Sequence, residues 1–93
     1  MQQRETVSVI IPTWNRAHTI EAAVKSVLSQ SYSVLEVLVC DDGSTDSTCE
    51  VLSKLKDDRV RIIEGQRAGR PAVPRNRGIK AAKGEWIAFL DSD

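Results

Sequence analysis

At 93 residues the chain has room for one small core, since domains typically run to roughly 100 to 150 residues. A hydrophobic fraction of 41% and a charged fraction of 28%, with only 5 glycines and 3 prolines, fit a folded globular chain and exclude disordered and collagen-like classes. Thirteen Lys plus Arg balance thirteen Asp plus Glu, so no whole-molecule field draws in nucleic acid or an anionic membrane, and any charge-driven function is local.

In chain order, residues 7 to 13 (VSVIIPT) form a short β-branched run, stopped by Pro12, that suits a strand buried on both faces. From Ala17 the period changes. Ile20, Val24, Val27 and Leu28 stack on one face of a helix, with Glu21 and Lys25 facing water. A second apolar run, Val34 to Cys40, ends in Asp41-Asp42-Gly43-Ser44, where Gly43 accepts a turn conformation that other residues resist. Ser47 with Glu50 reads as a capping box, and Val51, Leu52 and Leu55 extend a helix over about 46 to 56. Val60, Ile62 and Ile63 make the third strand. The stretch 65 to 83 is basic and acid-free, opening as a Gly/Pro loop and turning helical near Pro74 until Gly84. Trp86 to Leu90 is the fourth strand, with Trp86 expected in the core, and it runs into Asp91-Ser92-Asp93.

The order is βαβαβαβ, and a helix in each crossover requires parallel strands. The expected architecture is a three-layer α/β fold, a mainly parallel sheet with flanking helices, as in half of a doubly wound domain. Without a membrane-length apolar run or a signal-peptide pattern, the chain is expected to be cytoplasmic, and peripheral to the membrane if the full-length protein reaches it. Cys40 and Cys49 fit neither a CxxC pair nor a zinc site and read as two reduced core thiols.

Ligands of such sheets bind beyond the carboxyl ends of the strands, where Pro12-Thr13-Trp14-Asn15, Asp41-Asp42, the basic loop from Gly65 and Asp91-Ser92-Asp93 all fall. Neither GxGxxG nor GxxxxGK[ST] is present, so the two glycine-based modes of cradling phosphate are missing, and with them a dehydrogenase or a P-loop ATPase. A rim with several carboxylates repels a diphosphate unless a divalent cation lies between them, and Asp91 and Asp93 supply hard oxygens suited to Mg2+ or Mn2+. Trp14 reads equally as packing or as a pocket wall. His18 is assigned no role, and Arg75, Arg77, Lys80 and Lys83 read as the solvated face of the third helix, leaving Arg70 as the basic residue weighted toward function.

In order and spacing, VSVIIPTWN, the DDGS at Asp41 to Ser44, PRNRGIKAAKGEWIAFL and the terminal DSD resemble the N-terminal, nucleotide-sugar-binding half of family 2 glycosyltransferases with the GT-A fold. Trp14 stands where that family commonly has Tyr. The resemblance implies that Asp42 accepts a hydrogen bond from the base of a nucleotide diphosphate sugar, often UDP-linked, in a pocket lined by Pro12 and Thr13. It further implies that Asp91 lies near the ribose or sugar and also serves the metal, that Asp93 ligates the metal bridging the diphosphate, and that Arg70 faces the base. The implied reaction is inverting transfer of the sugar to a hydroxyl of a carbohydrate or glycolipid acceptor, as in polysaccharide biosynthesis. A carboxylate base takes the proton and the metal stabilises the departing diphosphate.

No residue is assigned as that base, which the family places downstream of the DxD. Residues 1–93 are therefore expected to be a single domain or a fragment, inactive alone and prone to self-association through an uncovered apolar surface. Two rivals stay open on the residues themselves. One is a nucleotide-binding module without turnover; the other is an aspartate-nucleophile phosphohydrolase, whose nucleophile loop also follows an apolar strand with DxD.

Overall fold

The computed structural model describes residues 6–30 and 34–92. It has β1 (Val7–Thr13), α1 (Ile20–Leu28), β2 (Val34–Asp42), α2 (Thr48–Ser53), β3 (Val60–Gly65), α3 (Ala72–Ala81) and β4 (Trp86–Phe89). The four strands form one sheet in the order β3-β2-β1-β4, with every pairing parallel. Two crossovers step outward from β1 to β3, and the third returns past β1 to β4. Right-handed connections then put α1 and α2 on one face and α3 on the other.

The core follows that division. On the first face Val9, Ile11, Val37 and Val39 pack against Ile20, Val24 and Val27 of α1 and Leu52 of α2. On the other face Ile10, Leu38 and Cys40 meet Ala81 and Ala82 at the end of α3. Ile10, Ile11, Val37, Leu38 and Val39 have no exposed surface. That is why β1 and β2 lack alternation: both their faces are covered, and each such side chain contributes about 1.5–3 kcal/mol by leaving water. Helix α3 has little apolar surface of its own and reaches the sheet through Gly78, where a Cβ would come within 2.8 Å of Cys40 Sγ and 2.9 Å of Ile10 Cγ2.

Three local readings need correction. Trp86 is 57% exposed, because β4 is an edge strand and α3 covers β1 and β2 instead. With it stand Ile87 and Phe89 on the strand and Leu90 just beyond. Helix α2 is shorter than expected, and the Ser47–Glu50 capping box does not form: Ser47 makes no side-chain cap, and the Thr48 amide donates instead to Asp46 Oδ1 at 3.0 Å. Helix α3 begins at Ala72 rather than near Pro74. Cys40 is buried and Cys49 half-buried, both as free thiols, and burial pushes them up to about 11 and about 12 respectively. Among the described residues no helix is long and apolar enough to cross a membrane.

Candidate nucleotide-sugar site

The strand order reverses between β1 and β4, and at the carboxyl ends of the strands lies a cleft of about 300 Å³. Such a switch point opens because the loops leaving neighbouring strands turn to opposite faces of the sheet. Pro12 and Thr13 enter from the end of β1, Asp42 from β2, Arg70 from the loop after β3, and Asp91 from beyond β4. The fold thus gathers in one cleft every residue expected to bind substrate. Asp93 lies outside the described residues.

Asp42 is the most constrained of them. Its side chain is 4% exposed. Oδ1 accepts from the Ala68 amide at 3.0 Å, and Oδ2 accepts from the Gly69 amide at 3.1 Å and Arg67 Nη1 at 2.9 Å. Arg77 Nη1 stands 3.6 Å from Oδ1, beyond hydrogen-bond range, and is a buried nitrogen with no hydrogen-bond partner among the described residues. Burial alone would raise the carboxyl, but the two amides and Arg67 outweigh it and hold it below the ordinary 3.8, so Asp42 is an anion at neutral pH.

The adjacent Asp41 is equally buried but points to the opposite face of the sheet. It is spent on its own turn, accepting from the Ser44 amide at 2.9 Å and from the Ser44 hydroxyl. Gly43, at φ 76°, makes that turn possible, and a Cβ there would come within 2.8 Å of the Arg67 amide nitrogen.

The first turn of the cleft is fastened to the second by Asn15, itself at φ 51°. Its side-chain Nδ2 donates to Thr45 Oγ1 at 3.1 Å, and its Oδ1 accepts from the Thr45 and Asp46 backbone amides at 2.7 and 3.2 Å. The far wall is tied back by Thr19 Oγ1, which donates to the Ser92 carbonyl at 2.8 Å and so fixes the chain beside Asp91. Trp14, 38% exposed, forms a wall, and the Arg67 guanidinium lies 3.9 Å from its ring centroid.

Arg67 and Arg77 escaped the sequence reading. Arg77 is not on a solvated face but half-buried beside Asp42. The missed signal was topological: in a parallel sheet the loop leaving β3 must emerge next to the carboxyl end of β2. The lining is also less acidic than expected. Arg16, Arg67, Arg70 and Arg75 border it against Asp42 and Asp91 among the described residues, which favours a polyanion.

For a divalent cation the described residues offer Asp91, an exposed carboxylate with no ion pair or hydrogen bond among them. They hold no cluster of three or more metal-ligating side chains. One or two carboxylates completed by substrate phosphates is a donor set that suits Mg2+, so the chemistry fits a cation shared with a diphosphate.

The family model for glycosyl transferase family 2 matches residues 8–93. The chain belongs to that family. This family 2 chain is 47% identical over 89 residues to the Escherichia coli enzyme WfaP, a UDP-Glc:alpha-D-GlcNAc-diphosphoundecaprenol beta-1,3-glucosyltransferase, across 96% of its own length and 36% of WfaP's. The S. aureus TarS 1-349 structure in complex with UDP-GlcNAc superposes with a TM-score of 0.86 at 34% identity, over 95% of this chain and 26% of that one. The mannosyltransferase PcManGT from Pyrobaculum calidifontis, in complex with GDP-Man and Mn2+, gives 0.85 at 31% identity, over 98% and 28%. The family 2 chain thus spans between about a quarter and little more than a third of the longer proteins it matches, and its GT-A fold is shared with them.

Proposed function

We propose that this region binds the nucleotide diphosphate of a sugar donor, UDP-linked by preference, and that the protein carrying it transfers the sugar with inversion to a carbohydrate or glycolipid hydroxyl. The observation that carries this is the convergence of Pro12, Thr13, Asp42, Arg70 and Asp91 on one arginine-rich cleft at the switch point. The ionised Asp42 accepts from a base N–H, Pro12 and Thr13 wall the nucleotide, Arg70 reaches the base or a phosphate, and Asp91 faces the ribose or sugar. Asp91 and Asp93 would hold Mn2+ or Mg2+, which when bound stabilises charge on the departing diphosphate. The catalytic base and the acceptor surface are assigned to parts of the protein beyond these residues, so residues 1–93 by themselves transfer no sugar. The reading is of a cytoplasmic donor-binding region, peripheral to the membrane where the acceptor is a glycolipid.

Titration calorimetry tests the reading. UDP should bind more tightly with Mn2+ than with chelator, and Asp91→Ala with Asp93→Ala should abolish that difference. Equal affinity in both conditions removes the metal from the proposal, and no UDP binding in either removes the proposal itself. The open apolar row on β4 further supports self-association of these residues, which Trp86→Ser with Phe89→Ser should shift toward monomer in sedimentation.

A further inference from the structure

We propose that Arg67 is a resident plug of the base subsite: in the free protein its guanidinium occupies both contacts that a nucleobase would use, and the incoming nucleotide displaces it. This rests on the reading of Asp42 as the acceptor of a base N–H. A guanidinium is flat, lies face-on to an aromatic ring and donates N–H groups in its own plane. A uracil ring is also flat, stacks the same way, and presents one in-plane N–H. Arg67 stacks on Trp14 at 3.9 Å while donating to Asp42 Oδ2 at 2.9 Å. Both the acceptor read as serving the base and the open aromatic face beside it are therefore filled by one side chain.

The surroundings make that side chain removable. Arg67 is 47% exposed, so its ion pair and its stacking contact are both partly solvated and belong to the weak end of their classes. Its departure does not release the loop, because the Ala68 and Gly69 amides hold Asp42 independently of it. Nor does departure leave the buried carboxylate without a cation. Arg77 Nη1 waits 3.6 Å from Oδ1 with no hydrogen-bond partner among the described residues. One lone pair of Oδ2 becomes free, which is the acceptor a ring N–H needs. Apparent affinity is then reduced by the fraction of time the plug is in place.

The probe is uridine, which lacks phosphates and so reports the base subsite alone, titrated by NMR with the Trp14 indole N–H as the signal and with UDP in parallel. Arg67→Met keeps the apolar stem and removes the planar cation; Arg67→Gln is the second variant. In the ligand-free protein either substitution should move the Trp14 resonance, and uridine should then bind about 3- to 10-fold more tightly than to wild type. Unchanged or weaker uridine binding in both variants, with UDP still binding wild type, overturns the plug and leaves the donor-site reading standing. Failure of UDP to bind wild type and both variants overturns the two together.

Discussion

Strand β2 carries a buried carboxylate at each end of the same face, Glu36 near its start and Asp42 at its finish, and the two are held almost identically. Glu36 accepts from Ser8 Oγ at 2.8 Å, the Lys83 amide at 2.7 Å and Arg61 Nη1 at 3.1 Å. Asp42 accepts from two amides and Arg67. Each charge therefore has at least one main-chain donor and a half-exposed arginine, and in each the carboxyl lies below its ordinary range even though burial opposes this. The difference is what lies beyond the partners. Around Glu36, Ser8 in turn accepts from the Gly84 amide at 2.8 Å, closing the network on the turn that ends α3. Around Asp42 the partners border a cleft and one of them stacks on an exposed ring. A buried, ionised carboxylate marks a function only where its hydrogen-bonding shell opens onto space that a ligand can enter.

From that contrast, the largest effect belongs to the closed end. Glu36→Ala should lower unfolding stability by about 3 kcal/mol in urea titration, because it takes the acceptor from the buried Ser8 hydroxyl, the Lys83 amide and Arg61 together, while UDP affinity stays unchanged in the folded fraction. A matching loss of UDP affinity would erase the distinction between the two ends. Next comes Asp42→Asn, which should weaken UDP binding by about 1–3 kcal/mol with a smaller loss of stability, since a loop rather than the core loosens.

The sequence showed the scaffold of this contrast but not its content. Ile20, Val24 and Val27 carry a helical period, and the runs in β1 and β2 are apolar on both faces, so the elements could be read directly. Trp86 misled because an apolar edge strand and an apolar central strand look alike until the covering helix is placed. Arg67 and Arg77 were invisible for a different reason. Their partner is 25 or more residues away, and only the pairing of Asp42 with Gly65 across β2 and β3 brings the basic loop to it. Glu36 had no signal beyond one acid in an apolar run, and its register opposite Ser8 supplies the meaning.

Two smaller effects sharpen the comparison. Lowered carboxyls stabilise the fold fully above their unfolded values, here 4.5 for Glu36 and 3.8 for Asp42, and that stability is lost as pH falls through the lower folded values. Acid titration of stability should therefore be steep below about pH 4.5, and Glu36→Gln and Asp42→Asn should each remove part of the slope. Smallest on binding is Asp41→Asn, expected to change UDP affinity by less than about 0.5 kcal/mol, because this carboxylate serves the Ser44 turn. Equal effects at Asp41 and Asp42 would show that the acceptor has been assigned to the wrong acid.

The Asn15 side chain bears on how portable this site is. Through one carboxamide it reads the position of Thr45 and Asp46 from a turn 30 residues away, and its own backbone is held left-handed to do so. Neither turn is therefore a cassette. Grafting the DDGS segment onto another parallel sheet, or recombining the first turn between relatives, should yield a misshapen wall unless the asparagine and the two amides that donate to it travel together.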